Sequence, residues 1–164
     1  MLRYLQKIRV PVQLALAGLD PAAGFLSLSP SAELHEGPET LLERLNAPGR
    51  MLPFHRSADN AFTLVSVDQI EWVAASTEVA PELLRPAHYI TTREERVRVR
   101  TEGGITFEGI LEMEMPHEFN RASDYLNADE NFFPLASAQG TVILHKAHVL
   151  DVRVFEASPV PRAA

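Results

Sequence analysis

Val97-Arg98-Val99-Arg100-Thr101-Glu102-Gly103-Gly104-Ile105-Thr106-Phe107-Glu108-Gly109-Ile110-Leu111-Glu112-Met113 reads as a β hairpin with a bent second strand. Val97, Val99 and Thr101 alternate with Arg98 and Arg100, the two-residue period of a half-buried strand. Gly103-Gly104 is a strong hairpin-turn signal. The strand that follows, Ile105 to Met115, sets Ile105, Phe107, Leu111, Met113 and Met115 on one face against Thr106, Glu108, Glu112 and Glu114 on the other. Gly109 stands on the apolar face without a side chain, which marks a bulge or sharp bend, as when a sheet curls into a small barrel.

The same statement occurs earlier in the chain. Val12, Gly18 and Gly24 precede Val97, Gly103 and Gly109 at a constant offset of 85 residues. Leu45-Asn46 and Leu52-Pro53-Phe54 precede Leu126-Asn127 and Phe133-Pro134-Leu135 at an offset of 81, and Leu64-Val65 through Val73 precedes Ile143-Leu144 through Val152 at 79. The shrinking offset places small deletions in surface loops, where they are tolerated. The chain is therefore read as an internal duplication. A short helix is expected in each copy, from Gly37-Pro38 to Asn46 and from Asn120 to Asn127. A brief strand with a central proline follows, and the missing donor marks it as an edge or an interrupted strand. Each copy closes on an apolar run, Phe62 to Val73 and Thr141 to Val154, read as two strands joined by a tight bend at Val67-Asp68-Gln69 or Lys146-Ala147-His148.

The fold class that follows is mainly β: two tandem, small, strongly bent five-stranded barrels, each with a short helix. The first barrel repeat covers residues 1–75, a linker containing Pro81 and Pro86 covers 76–95, the second repeat covers 96–156, and 157–164 form a tail. Units this small bury limited apolar surface alone and are expected to pack on each other or on other chains.

Composition narrows the functional classes. Hydrophobic residues make up 46% and charged residues 23%, the balance of a soluble globular protein. The chain has no cysteine, so disulfide and thiolate chemistry are excluded. Arg3, Lys7 and Arg9 interrupt the apolar N-terminal residues and no uninterrupted apolar run follows, so neither a signal peptide nor a membrane span is expected and a cytoplasmic location is. The net charge of −7 argues against a general polyanion binder, because phosphate binding needs clustered positive charge, but leaves room for a local basic site.

The opening Val10-Pro11-Val12 leading to Gly18 and Gly24-Phe25-Leu26, and the closing His145-Lys146-Ala147-His148-Val149, resemble the Sm-like barrel, most closely the bacterial Sm-like RNA chaperone of the host-factor type. The middle of each copy departs from that family. Arg121-Ala122-Ser123-Asp124-Tyr125-Leu126-Asn127 with Phe133-Pro134-Leu135 and Lys146-Ala147-His148 is similar to a group of functionally uncharacterised bacterial proteins with an Arg-x-Ser-Asp-x-Leu-Asn … Phe-x-Pro-Leu … Lys-x-His signature. That second resemblance implies a shared fold and no known activity. The first implies RNA contact at the bend, where Lys146 and His148 stand, with Asn127 as a weaker third residue. Only the second copy carries this pattern; the first has Val67-Asp68-Gln69 there.

Arg96, Arg98 and Arg100 share one strand face and are the local basic stripe, a candidate RNA phosphate contact. The plainer reading is a solvated face balanced by Glu112 and Glu114 on the next strand. Asn46 and Asn127 read as helix-ending residues able to take a left-handed conformation, and Phe132 and Phe133 as core. His145 and His148 lie three apart in strand and bend, which sends side chains to opposite faces unless the bend realigns them. With His117 remote in sequence and no cysteine, no metal site is expected, and no cofactor. No nucleophile elbow, phosphate loop or Rossmann fingerprint occurs, so catalysis is not expected and no catalytic residue is assigned. The expected role is a protein-interaction, scaffold or regulatory module that assembles through exposed strand edges, those of the Pro-containing and the final strands, with itself as a homo-oligomer of ring-like form and with protein partners. The alternative is an Sm-like RNA-binding regulator using Lys146, His148, Arg96, Arg98 and Arg100.

Overall fold

A computed structural model describes residues 6–116 and 121–155. Its first half contains β1 (Ile8–Leu16), β2 (Ala22–Leu28), α1 (Leu41–Asn46), β3 (Met51–Arg56), β4 (Ala61–Ser66) and β5 (Ile70–Ser76). The second contains β6 (Arg93–Thr101), β7 (Thr106–Met113), α2 (Ala122–Leu126), β8 (Phe132–Ser137), β9 (Gly140–His145) and β10 (Val149–Val154). The elements recur in the same order, and the ladders recur in the same register. Val12 faces Gly24 and Val97 faces Gly109; Pro53 faces Leu64 and Pro134 faces Ile143.

The ten strands form one antiparallel sheet, not closed, in the order β10-β6-β7-β8-β9-β5-β1-β2-β3-β4. The halves are joined where β5 pairs with β9, Trp72 opposite Leu144, Val73 opposite Ile143 and Ala75 opposite Thr141. Two buried clusters fill the interior, and each borrows from the other half. Phe132 and Ile143 pack with Val10, Leu26, Leu41, Leu45 and Phe54, while Ala15 and Trp72 pack with Val97, Val99, Leu111, Met113 and Leu135. Phe132 and Phe133 are both buried, as expected of core aromatics.

Glycine is needed at Gly109 because the next strand passes directly over it. A Cβ there would sit 2.5 Å from the Ala136 carbonyl oxygen and 2.8 Å from Leu135 Cγ. Gly24 meets the Phe54 ring and the His55 carbonyl in the same way. The close crossing is what lets a sheet of short strands bend hard enough to enclose a core.

Three expectations need correction. The proline strands are not edges: β3 lies between β2 and β4, and β8 between β7 and β9. The missing donor is accommodated because β2 and β3 pair only through Gly24–Arg56 and Phe25–His55, and β7 and β8 only through Ile110–Ala136. Pro53 and Pro134 face a ladder on one side alone. Of the closing strands, β5 is interior, so the sheet edges are β4 and β10. Helix α1 starts later than the Gly37-Pro38 signal suggests. Thr40 caps it, its hydroxyl accepting from Glu43 N (3.2 Å) while Glu43 Oε1 accepts from Thr40 N (3.0 Å), and this capping box sets the first turn. Residue Asn120, at the expected start of α2, and His117 lie outside the described residues.

Candidate functional site

The seam between β5 and β9 brings together titratable side chains from both halves. The 3₁₀ turn Lys146–His148 interrupts the closing apolar run and rotates the side chains that follow. It realigns His145 and His148, whose rings meet edge to face at 5.1 Å instead of pointing apart. Both rings then reach across the seam into the first half. His145 is buried, stacks on Phe132 with centroids 4.3 Å apart, and its Nδ1 lies 2.9 Å from the Ile70 carbonyl oxygen. Burial disfavours charge on this ring and lowers its pKa despite the Ile70 carbonyl.

His148 has a different environment. Its Nε2 lies 2.7 Å from the Asp68 carbonyl oxygen, across the seam, and its Nδ1 lies 3.0 Å from Glu102 Oε2 in the β6–β7 turn. Burial works against charge here too, but the Asp68 carbonyl and the Glu102 and Glu71 carboxylates outweigh it and hold the pKa above the usual imidazole value. Acceptors at both nitrogens favour the doubly protonated ring. Glu71, on β5, is buried and accepts a hydrogen bond from Gly103 N at 2.8 Å. Glu71, Glu102 and His148 bring ligand-type atoms within 4.8 Å of one another.

A second tie crosses the seam beside α1. Asn46 ends the helix without a left-handed backbone; Asn60 is the non-glycine residue with positive φ among the described residues. The Asn46 side chain instead clasps β8, accepting from Phe132 N at 2.9 Å and donating to the Phe132 carbonyl at 3.3 Å. Asn127, its counterpart, has φ −89° and ψ 3°.

The expected RNA residues fall in separate settings. Lys146 and His148 share the 3₁₀ turn, but the Lys146 ammonium donates to the Ala128 carbonyl at 3.0 Å, and burial lowers its pKa against the pull of Glu130 and Asp129. The arginine stripe is balanced by other acids than expected. Arg98 Nε donates to Glu108 Oε1 at 2.8 Å, Arg96 lies 3.7 Å from Glu108, and Arg100 Nε donates to Asp151 Oδ1 at 2.9 Å. Of the acids expected to balance it, Glu114 accepts from Ile90 N in the linker through its carboxylate, and Glu112 faces Glu94 across the ladder instead of an arginine. Sequence patterning missed Glu71 and Glu102 because no spacing links them to His148; the topology alone brings them together.

Edges form the remaining candidate surface. β4 exposes Phe62 (71%) and Leu64 (55%), and β10 exposes Leu150 (61%) and Val154 (46%). No helix is long and apolar enough to cross a membrane among the described residues. No family model, curated protein or solved structure matches this chain.

Proposed function

We propose that this chain is a non-enzymatic interaction module that assembles head to tail with further copies of itself, each half acting as a bent Sm-like or SH3-like five-stranded unit. One observation carries the reading. The internal seam joins the fifth strand of the first half to the fourth strand of the second, and the two strands left unpaired at the sheet edges are the fifth of the second half and the fourth of the first. Carrying the seam's register over by the repeat offset sets Val152 opposite Leu64 and Val154 opposite Phe62 of the next copy, as Val73 faces Ile143 and Ala75 faces Thr141 within the chain.

Burial supports the transfer. Ile143 is 1% exposed against a paired β5, whereas its counterpart Leu64 is 55% exposed at an open edge. Phe132 is buried under the Asn46 clasp, whereas its counterpart Met51 is exposed, with Asn127 as the corresponding amide on the neighbouring copy. Open backbone donors flanked by large apolar side chains are a template for strand addition. The contact is heterologous, so repetition gives a closed ring or a filament.

Sedimentation of the full chain tests this, with Leu64→Lys and Val154→Lys as edge variants. The parent forms oligomers that persist in high salt, each variant alone is monomeric, and an equimolar mixture of the two forms a one-to-one dimer through the edges left intact. A parent that stays monomeric at high micromolar concentration, or variants that assemble like the parent, overturns the reading. Particles held together by RNA, dissolving with salt and lost in Lys146→Ala, would favour the RNA-binding alternative instead.

A further inference from the structure

Glu71, Glu102 and His148 come from three elements: β5 of the first half, the β6–β7 turn and the 3₁₀ turn before β10. Two observations about them point to a bound cation. Glu71 is 5% exposed and its carboxylate accepts a hydrogen bond from Gly103 N at Oε1, yet among the described residues no Lys or Arg pairs with it. Largely buried carboxylates are ordinarily paired with a cation or coordinate a metal. The second observation is the orientation of His148. Its Nε2–H donates to the Asp68 carbonyl, the outer-shell bond that usually fixes a metal-binding imidazole, and this turns Nδ1 toward the two carboxylates.

We infer that these three side chains form a site for a divalent first-row transition ion on the seam, with zinc as the suitable probe. Two carboxylate oxygens and one imidazole nitrogen make a donor set that zinc accepts, leaving a fourth position for water. The proton on Nδ1 is released to solvent as the ion takes its place, and the Nε2–H bond to Asp68 is kept. Glu102 is the half-exposed member, and its side chain is the one with room to move in and close the donors to bonding distance. Gly103 packs closely against the Glu71 carboxylate: a Cβ there would lie 2.6 Å from Oε2 and 3.1 Å from Oε1. The bound ion ties the two halves together at the point where they meet. The inference does not depend on assembly with other copies.

The test is calorimetric titration of zinc into the chelator-stripped full chain, with cobalt absorption reporting ligand geometry and fluorescence of the one tryptophan, Trp72, reporting binding next to Glu71. One equivalent binds, with a rise in unfolding temperature that grows with zinc concentration. Glu102→Gln and His148→Gln each lower affinity by at least about tenfold, and His88→Gln, which removes one ring of the His35–His88 pair on the linker side, leaves it unchanged. Absence of saturable binding, or binding unaltered by Glu102→Gln, overturns the proposal. In that case the His148 imidazolium is itself the cation that the carboxylates require. Glu102 is exposed enough for its variant to fold, so the decision stands even if His148→Gln does not accumulate.

Discussion

Asn46 and Phe132 hold each other across the seam through two hydrogen bonds, the amide oxygen accepting from Phe132 N at 2.9 Å and the amide nitrogen donating to the Phe132 carbonyl at 3.3 Å. One side chain thereby satisfies both backbone groups at the first residue of β8. Asn46→Ala leaves those groups unpaired beside a buried aromatic and is expected to destabilise the fold by about 1–3 kcal/mol. Urea unfolding followed by Trp72 fluorescence measures it. A change below about 0.5 kcal/mol, the size of an ordinary surface substitution, would mean that water replaces the amide at no loss.

Asn127→Ala is expected to do the opposite. It leaves the unfolding free energy of the isolated chain near that of the parent, and weakens assembly in a concentration series of sedimentation runs. Equal effects of the two substitutions on monomer stability would show that Asn127 makes an internal bond equivalent to that of Asn46.

Gly109→Ala introduces a methyl group where the Ala136 carbonyl oxygen lies 2.5 Å away and Leu135 Cγ 2.8 Å. Both neighbours belong to β8, so relief requires a backbone shift, with a cost of about 1–3 kcal/mol. Thr106→Ala, exposed on the same strand, serves as the comparison. Equal denaturation midpoints for the two variants would show that the crossing strands can part freely.

A pH dependence follows from His35 and Glu43, 2.7 Å apart beside the α1 N-terminus. The Glu36 carbonyl and the Glu43 carboxylate raise the His35 pKa above its ordinary 6.5. Its contribution is therefore complete below about pH 6.5 and is lost as pH rises through the raised value. Burial tends to raise Glu43, but bonds from His35 and Thr40 prevail and lower it from 4.5, so its contribution is present above that value and fades as pH falls through the lowered one. Protection of α1 amides from hydrogen exchange should peak between the two ordinary values. His35→Gln should flatten the alkaline side, and a parent profile without that decline would show the pair to be uncoupled from α1.

Arg98 and Arg100 each pair with an acid on the neighbouring strand, and these pairs are exposed. Asp151→Asn is expected to leave stability close to that of the parent, and closer still in high salt. A larger effect measured by urea unfolding would mean that Asp151 also orders the β10 edge.

The duplication, the strand identities, the bends at Val67–Gln69 and Lys146–His148 and the closely packed glycines were legible in the sequence. Each is a local matter: alternation, a turn residue, a missing side chain in an apolar row. The repeat offsets even carried the ladder registers, because two copies of one pattern fold under the same constraints. Edges were not legible. A proline reports only that one donor is absent, and whether the strand has neighbours depends on ladders that Pro53 and Pro134 barely share with β2 and β7. Arg98 pairs with Glu108 on the adjoining hairpin strand, but the partner of Arg100, Asp151, comes from β10, about fifty residues on, and depended on which strand lay alongside. The Glu71, Glu102 and His148 cluster and the Asn46 clasp arise only once β5 lies against β9. Periodicity along one strand determines which faces are apolar, but which distant strand covers a face is decided by how two bent halves can bury the most surface together.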